Sequence, residues 1–165
     1  MKKTLLTAVM ALFVAGVSAQ ETLQVAKERL NELVSLTKAE VKETGNDIID
    51  DYTETLYDLT DDVVENGTDL NSLLESVKSG AITEASALAE AYSLSDKITT
   101  ATAKVKSVVS TAKEATSQIK NLKGISLKAL ATKTLANNTK VATLLGEETV
   151  SQAQTIASLI SQYVK

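Results

Sequence analysis

Apolar and small residues recur at alternating steps of three and four along almost the whole chain, and no proline interrupts them. That spacing is the period of an α-helix, which stacks residues i, i+3, i+4 and i+7 on one face. One stripe runs through Ala26, Leu30, Leu33, Thr37, Val41, Thr44, Ile48, Tyr52, Leu56, Leu59 and Val63. A second runs through Leu88, Ala91, Ser95, Ile98, Thr102, Val105, Val109, Ala112, Thr116 and Ile119. A third runs through Val141, Leu145, Thr149, Ala153, Ile156, Ile160 and Tyr163. The alternation with period two that marks a strand is absent over any useful length. The chain reads as all-α. Its many threonines and valines weaken local helix preference, so packing must supply what propensity does not.

The first nineteen residues read as an export signal. Lys2 and Lys3 precede an uncharged apolar run from Leu5 to Val17, and small residues follow at Ser18 and Ala19. Such a leader is cleaved after the small residue, here between Ala19 and Gln20. The apolar run is shorter than the roughly 20 residues that span a bilayer. The ending Ser18-Ala19-Gln20-Glu21 resembles signal peptides of the Bacteroidota, a likeness that concerns export alone. The expectation is a bacterial protein, periplasmic or secreted, with one domain over 20–165.

Few residues punctuate the helical pattern. Asn66-Gly67, Ser79-Gly80 and Lys123-Gly124 are the breaks expected, glycine being the residue that ends a helix in the left-handed conformation. Thr68 or Asp69 would cap the helix after the first break, and a short segment 69–78 would lie between the first and second. Three long helices follow, about 21–66, 82–123 and 125–165, each roughly 60 Å long at 1.5 Å per residue. Near-equal lengths and short connections predict an elongated antiparallel three-helix bundle. Gly45 and Gly146 would then sit at one height opposite 99–103, as a waist where backbones approach closely. The alternative is a shorter bundle of five or six helices broken at both glycines, Gly45-Asn46-Asp47 reading as a helix end followed by a helix cap.

What is missing excludes much chemistry. No cysteine, histidine or tryptophan is present. Disulfides, Cys/His zinc sites, Ser-His-Asp triads and the Glu-x-x-His motif of di-iron bundles are therefore ruled out. Glycine-rich phosphate loops are absent, so no cofactor is expected. The acids Asp47, Asp51, Glu54, Asp58, Asp62 and Glu65 fall near one helical face without the looped D-x-D-x-D-G pattern of a calcium site, and read as a solvated surface. Asn66-Gly67-Thr68 and Asn137-Asn138-Thr139 match the glycosylation sequon. Tyr52 and Tyr163 fall on the apolar stripes and should pack rather than bind.

Charge is the most informative pattern. Residues 21–96 hold 18 acids against five bases, whereas 97–140 hold nine lysines against Glu114 alone. The lysines are Lys97, Lys104, Lys106, Lys113, Lys120, Lys123, Lys128, Lys133 and Lys140. They could pair with the acidic first helix across a bundle seam, or form a docking face for an anionic surface. Nucleic acid is not expected, because arginine and aromatic interleaving are absent from the segment. The reading is an exported, non-enzymatic helical protein with a structural or protein-interaction role. Self-association is plausible, since Ala91, Ser95, Thr102, Ala112 and Thr116 give a thin seam that a second chain could complete. The alternative is an amphipathic binder of anionic lipid or envelope polysaccharide through 97–140.

Overall fold

A computed structural model describes the backbone of residues 16–38 and 42–164, with side chains from Ala26 onward. The regular structure among these residues is helical: α1 (Gly16–Thr37), α2 (Asp47–Ser79), α3 (Glu84–Ser117), a 3-10 turn (Gln118–Asn121) and α4 (Ile125–Tyr163). The all-α expectation holds. The number of helices does not: among the described residues four α-helices pack together, rather than three long ones or five or six short ones. The proposed leader falls almost wholly outside the described residues, as does Val41 of the first stripe.

Two glycines account for the changed count. The chain turns at Gly45, where φ is 74°, so the first predicted long helix is cut in two. Asn46 then caps α2 by accepting from the Ile49 amide. Asp50 gathers the turn onto the new helix. Its Oδ1 accepts from the Thr44 amide at 2.9 Å and the Thr44 hydroxyl at 2.8 Å, and its Oδ2 accepts from the Gly45 amide at 3.1 Å. An acid near the N-terminus also complements the helix dipole.

The break expected at Asn66-Gly67 does not occur, and α2 runs through both residues to Ser79. Neither Thr68 nor Asp69 is a cap, and 69–78 is the end of α2 rather than a separate piece. Gly67 is needed for closeness, not for turning. A Cβ there would lie 2.7 Å from Leu30 Cδ1 on α1 and 2.8 Å from Gln152 Nε2 on α4. The cost of a mid-helix glycine, about 1 kcal/mol, is offset by the packing it permits. Gly146 stays helical too, but with nothing within 4 Å of its Cβ position. No waist forms, since Gly45 lies in a loop and Gly146 meets no close neighbour.

The breaks at Gly80 and Gly124 occur as expected, at φ 69° and 97°. After Gly80, the Ala81 amide donates to the Ser76 carbonyl at 2.9 Å, closing the last turn of α2. Thr83 caps α3 by accepting from the Ser86 amide.

Side-chain contacts show the direction of each helix. Lys97 and Lys104 on α3 meet Asp69 and Asp62 on α2, so α2 and α3 are antiparallel. Asn138 and Gln152 on α4 bond to Thr53 and Val63 on α2, so α2 and α4 are parallel. On α1, Lys27 meets Glu75 and Leu36 meets Tyr57, so α1 runs antiparallel to α2. It packs against α2 and α4.

The core forms two apolar clusters. One includes Leu33, Ile49, Leu56, Val63, Val141 and Leu145; the other includes Leu70, Leu73, Ala91, Ile98, Ile156 and Leu159. Each fully buried leucine or isoleucine stabilises by roughly 1.5–3 kcal/mol. Buried threonines enter this core because Thr53, Thr60 and Thr149 donate their hydroxyls to Ile49, Leu56 and Leu145 carbonyls one turn back. The small-residue stripe of α3 is closed largely within the chain: Ala91 is buried, Ser95, Thr102 and Ala112 are half-buried, and only Thr116 is exposed.

Candidate interaction face

The helix register divides the nine lysines into two groups. Lys97 Nζ lies 3.4 Å from Asp69 Oδ2 and 3.8 Å from Glu65, and Lys104 Nζ lies 3.0 Å from Asp62 Oδ2. These two belong to the α2–α3 seam. Lys106 follows Lys104 by two residues, about 200° around the helix, and so leaves the seam. Lys106, Lys113, Lys120, Lys123, Lys128, Lys133 and Lys140 are all exposed. Among the described residues none of the seven is in an ion pair. They occupy the second half of α3, the connection and the first half of α4, and therefore share one end of the bundle. The connection also holds Ile125, 89% exposed at the start of α4.

At the same end, α2 is acidic. Asp47, Asp51, Glu54, Asp58, Asp62 and Glu65 are all exposed. Asp62 and Glu65 join the seam lysines, while Asp47, Asp51, Glu54 and Asp58 face water. Among the described residues, no group of His, Cys, Asp or Glu side chains could hold a metal ion.

The most elaborate polar site is one the spacing of charges did not reveal. Glu148 is buried between the two apolar clusters. Its Oε2 accepts from Arg29 Nε at 3.0 Å, and its Oε1 accepts from Gln152 Nε2 at 3.2 Å. The same Gln152 nitrogen donates to the Val63 carbonyl at 2.9 Å, while Gln152 Oε1 has no protein partner. The site ties α1, α2 and α4 together. The sequence held one signal: Arg29 is the chain's single arginine, the residue suited to a buried carboxylate because its planar fork stays charged. Shifting the third stripe by one position would also have placed Glu148 and Gln152 inside.

A second polar cluster fastens the end of α1. Asn137 Nδ2 donates to the Leu36 carbonyl at 3.2 Å and to Tyr57 Oη at 2.9 Å. Behind it Asn138 Nδ2 donates to Thr53 Oγ1 at 2.8 Å. Both sequons are thereby accounted for by packing, since Asn66 is buried and the Asn137 amide is engaged. Tyr52 is buried and Tyr163 half-buried. Burial raises the phenol pKa of each, and Glu84 adds to the rise at Tyr163. Ala19 and Gln20 fall in the first turns of α1. No described helix is long and apolar enough to cross a membrane.

No protein-family model matches the chain, and no curated protein or solved structure matches it either.

Proposed function

We propose that this is an exported, non-enzymatic helical bundle that acts by binding a partner through the lysine face at the α3–α4 end. The observation that supports it is the set of seven exposed lysines with no ion-paired acid among the described residues. Like charges gathered at one end cost self-repulsion, and an anionic partner would relieve it. The non-enzymatic reading is supported by the fate of the one buried carboxylate among the described residues. Glu148 is closed by Arg29 and Gln152, and serves the packing of three helices.

The test is retention on a sulfonated matrix at neutral pH. The exported chain from Gln20, with 15 bases against 21 acids and a formal net charge of −6, would flow through if its charges were evenly spread. A coherent lysine face should hold it until moderate salt, and Lys128→Glu with Lys133→Glu should release it. Flow-through of the wild type would refute the proposal.

A second reading, an anionic lipid surface as the partner, is favoured by Ile125. This exposed apolar side chain is flanked by Lys123 and Lys128, the arrangement by which a wedge enters a headgroup layer while cations meet its phosphates. Sedimentation with phosphatidylglycerol vesicles but not phosphatidylcholine vesicles, reduced by Ile125→Ser, is the outcome it requires.

A further inference from the structure

The seam between α2 and α3 follows a simple rule: two aspartates seven residues apart, Asp62 and Asp69, face two lysines seven residues apart, Lys104 and Lys97. Seven residues are two helical turns, about 10 Å. The same spacing recurs twice where no ion pair forms among the described residues. On α2, Asp51 and Asp58 are exposed and seven apart; on α3, Lys106 and Lys113 are exposed and seven apart. Among the described residues, none of the four has an ion-pair partner.

Each of these pairs also adjoins an exposed apolar side chain. Val109, 41% exposed, lies between Lys106 and Lys113 at helical spacing, and Ile48, 40% exposed, lies one turn before Asp51. An apolar centre with charges around it is the composition of a protein interface rather than of a merely solvated face.

The geometry points to a second copy of this chain as the partner of the lysine face, its Asp51 and Asp58 meeting Lys106 and Lys113 as Asp62 and Asp69 meet Lys104 and Lys97 inside one molecule. The inference rests on the binding role of that face proposed above. Lys106 points away from the seam, whereas Asp51 and Asp58 continue the seam face of α2, so the basic and acidic faces lie on different sides of the bundle. A contact between unlike faces does not close on itself as a twofold pair, and it leaves a free acidic face at one end and a free basic face at the other. Rows or rings of bundles standing side by side are the result.

The direction of the salt effect separates this from other kinds of association. Copies of the chain from Gln20, which lacks Lys2 and Lys3 and so carries 15 bases against 21 acids, a net charge of −6, repel one another, and salt would relieve that repulsion and favour apolar association. Contact between complementary faces is weakened by salt instead, because the Debye length falls from about 30 Å at 0.01 M to about 3 Å at 1 M.

The experiment is sedimentation velocity on the chain beginning at Gln20, which keeps α1 from Gln20 onward and the other three helices whole, across a concentration series at low and high salt. Species larger than a monomer are expected at low salt, dispersing at high salt. Lys106→Glu with Lys113→Glu, and separately Asp51→Lys with Asp58→Lys, should each weaken association roughly tenfold or more. Mixed one to one, the two variants should associate again and beyond two chains, since the unchanged faces pair and the reversed faces, acid against base, are complementary as well. A wild type that stays monomeric at low salt overturns the inference, as does association that grows with salt or survives in both variants. Retention of a monomeric wild type on the sulfonated matrix would leave the lysine-face proposal standing without it.

Discussion

Removing the guanidinium of Arg29 should destabilise this bundle more than removing the carboxylate it holds. The two ends of the pair differ in access to water: the Glu148 side chain is 2% exposed, that of Arg29 21%. Arg29→Met leaves a carboxylate sealed between two apolar clusters with only the Gln152 amide to stabilise it. Breaking a buried pair in this way costs about 3–5 kcal/mol, and the partial exposure of Arg29 places the value near 3. Glu148→Met leaves a guanidinium that can turn its head into solvent on a long stem, at a cost of about 1 kcal/mol. For a domain of this size 1 kcal/mol shifts Tm by about 3 °C. Melts followed by circular dichroism at neutral pH should therefore fall by about 10 °C for Arg29→Met and about 3 °C for Glu148→Met. The double substitution should return close to wild type, since apolar side chains of similar volume replace a buried pair at little cost. An Arg29→Met protein that melts with the wild type would refute this account, as would a Glu148→Met protein that is the less stable of the two.

The remaining predictions use the same melts or a mass measurement. Gly67→Ala and Gly146→Ala are the same substitution in two helix interiors, yet they should have opposite signs. Gly146→Ala gains helix propensity in open space, about 1 kcal/mol. Gly67→Ala drives a methyl into Leu30 and Gln152, an overpacking cost of about 1–3 kcal/mol that exceeds the gain. Asp50→Ala should cost about 1–2 kcal/mol, by releasing the Thr44 and Gly45 donors. Burial raises the Tyr52 pKa above its ordinary value of 10.0. Between that value and the raised one the folded state holds a proton that the unfolded state has lost, so stability falls as pH rises through this range. Tyr52→Phe should therefore lose less stability than the wild type above about pH 10. The exported chain should begin at Gln20, read by mass spectrometry of the mature protein; retention of the first nineteen residues would refute the leader assignment.

The class of the fold was legible because periodicity is a local property: each stripe states which face a helix will bury. The helix ends were less so, because a glycine's role depends on what lies across from it. Gly45 and Gly80 turn the chain, whereas Gly67 brings three helices together, and the difference lies in Leu30 and Gln152, far away in sequence. The lysine-rich segment was legible as a segment. That Lys97 and Lys104 would be taken into the seam while Lys106 and Lys113 stay outside depended on the helix register against α2. The buried Glu148 was hidden by the habit of placing charge outside; only the lone arginine hinted at a partner held in the interior.

The direction of α1 gives the molecule a pole. Lys27 lies beside Glu75, only four residues before α2 ends at Ser79, so the residues of α1 before Lys27 run past that end. The last turn of α4 arrives there too, where Tyr163 feels the charge of Glu84 at the start of α3. Both ends of the described chain thus leave from one pole, and the lysines gather toward the other, most of a helix length away. A bundle held by either terminus, whether to a membrane, a bead or a fused partner, would stand with its lysine face, and the α2 acids beside it, outward.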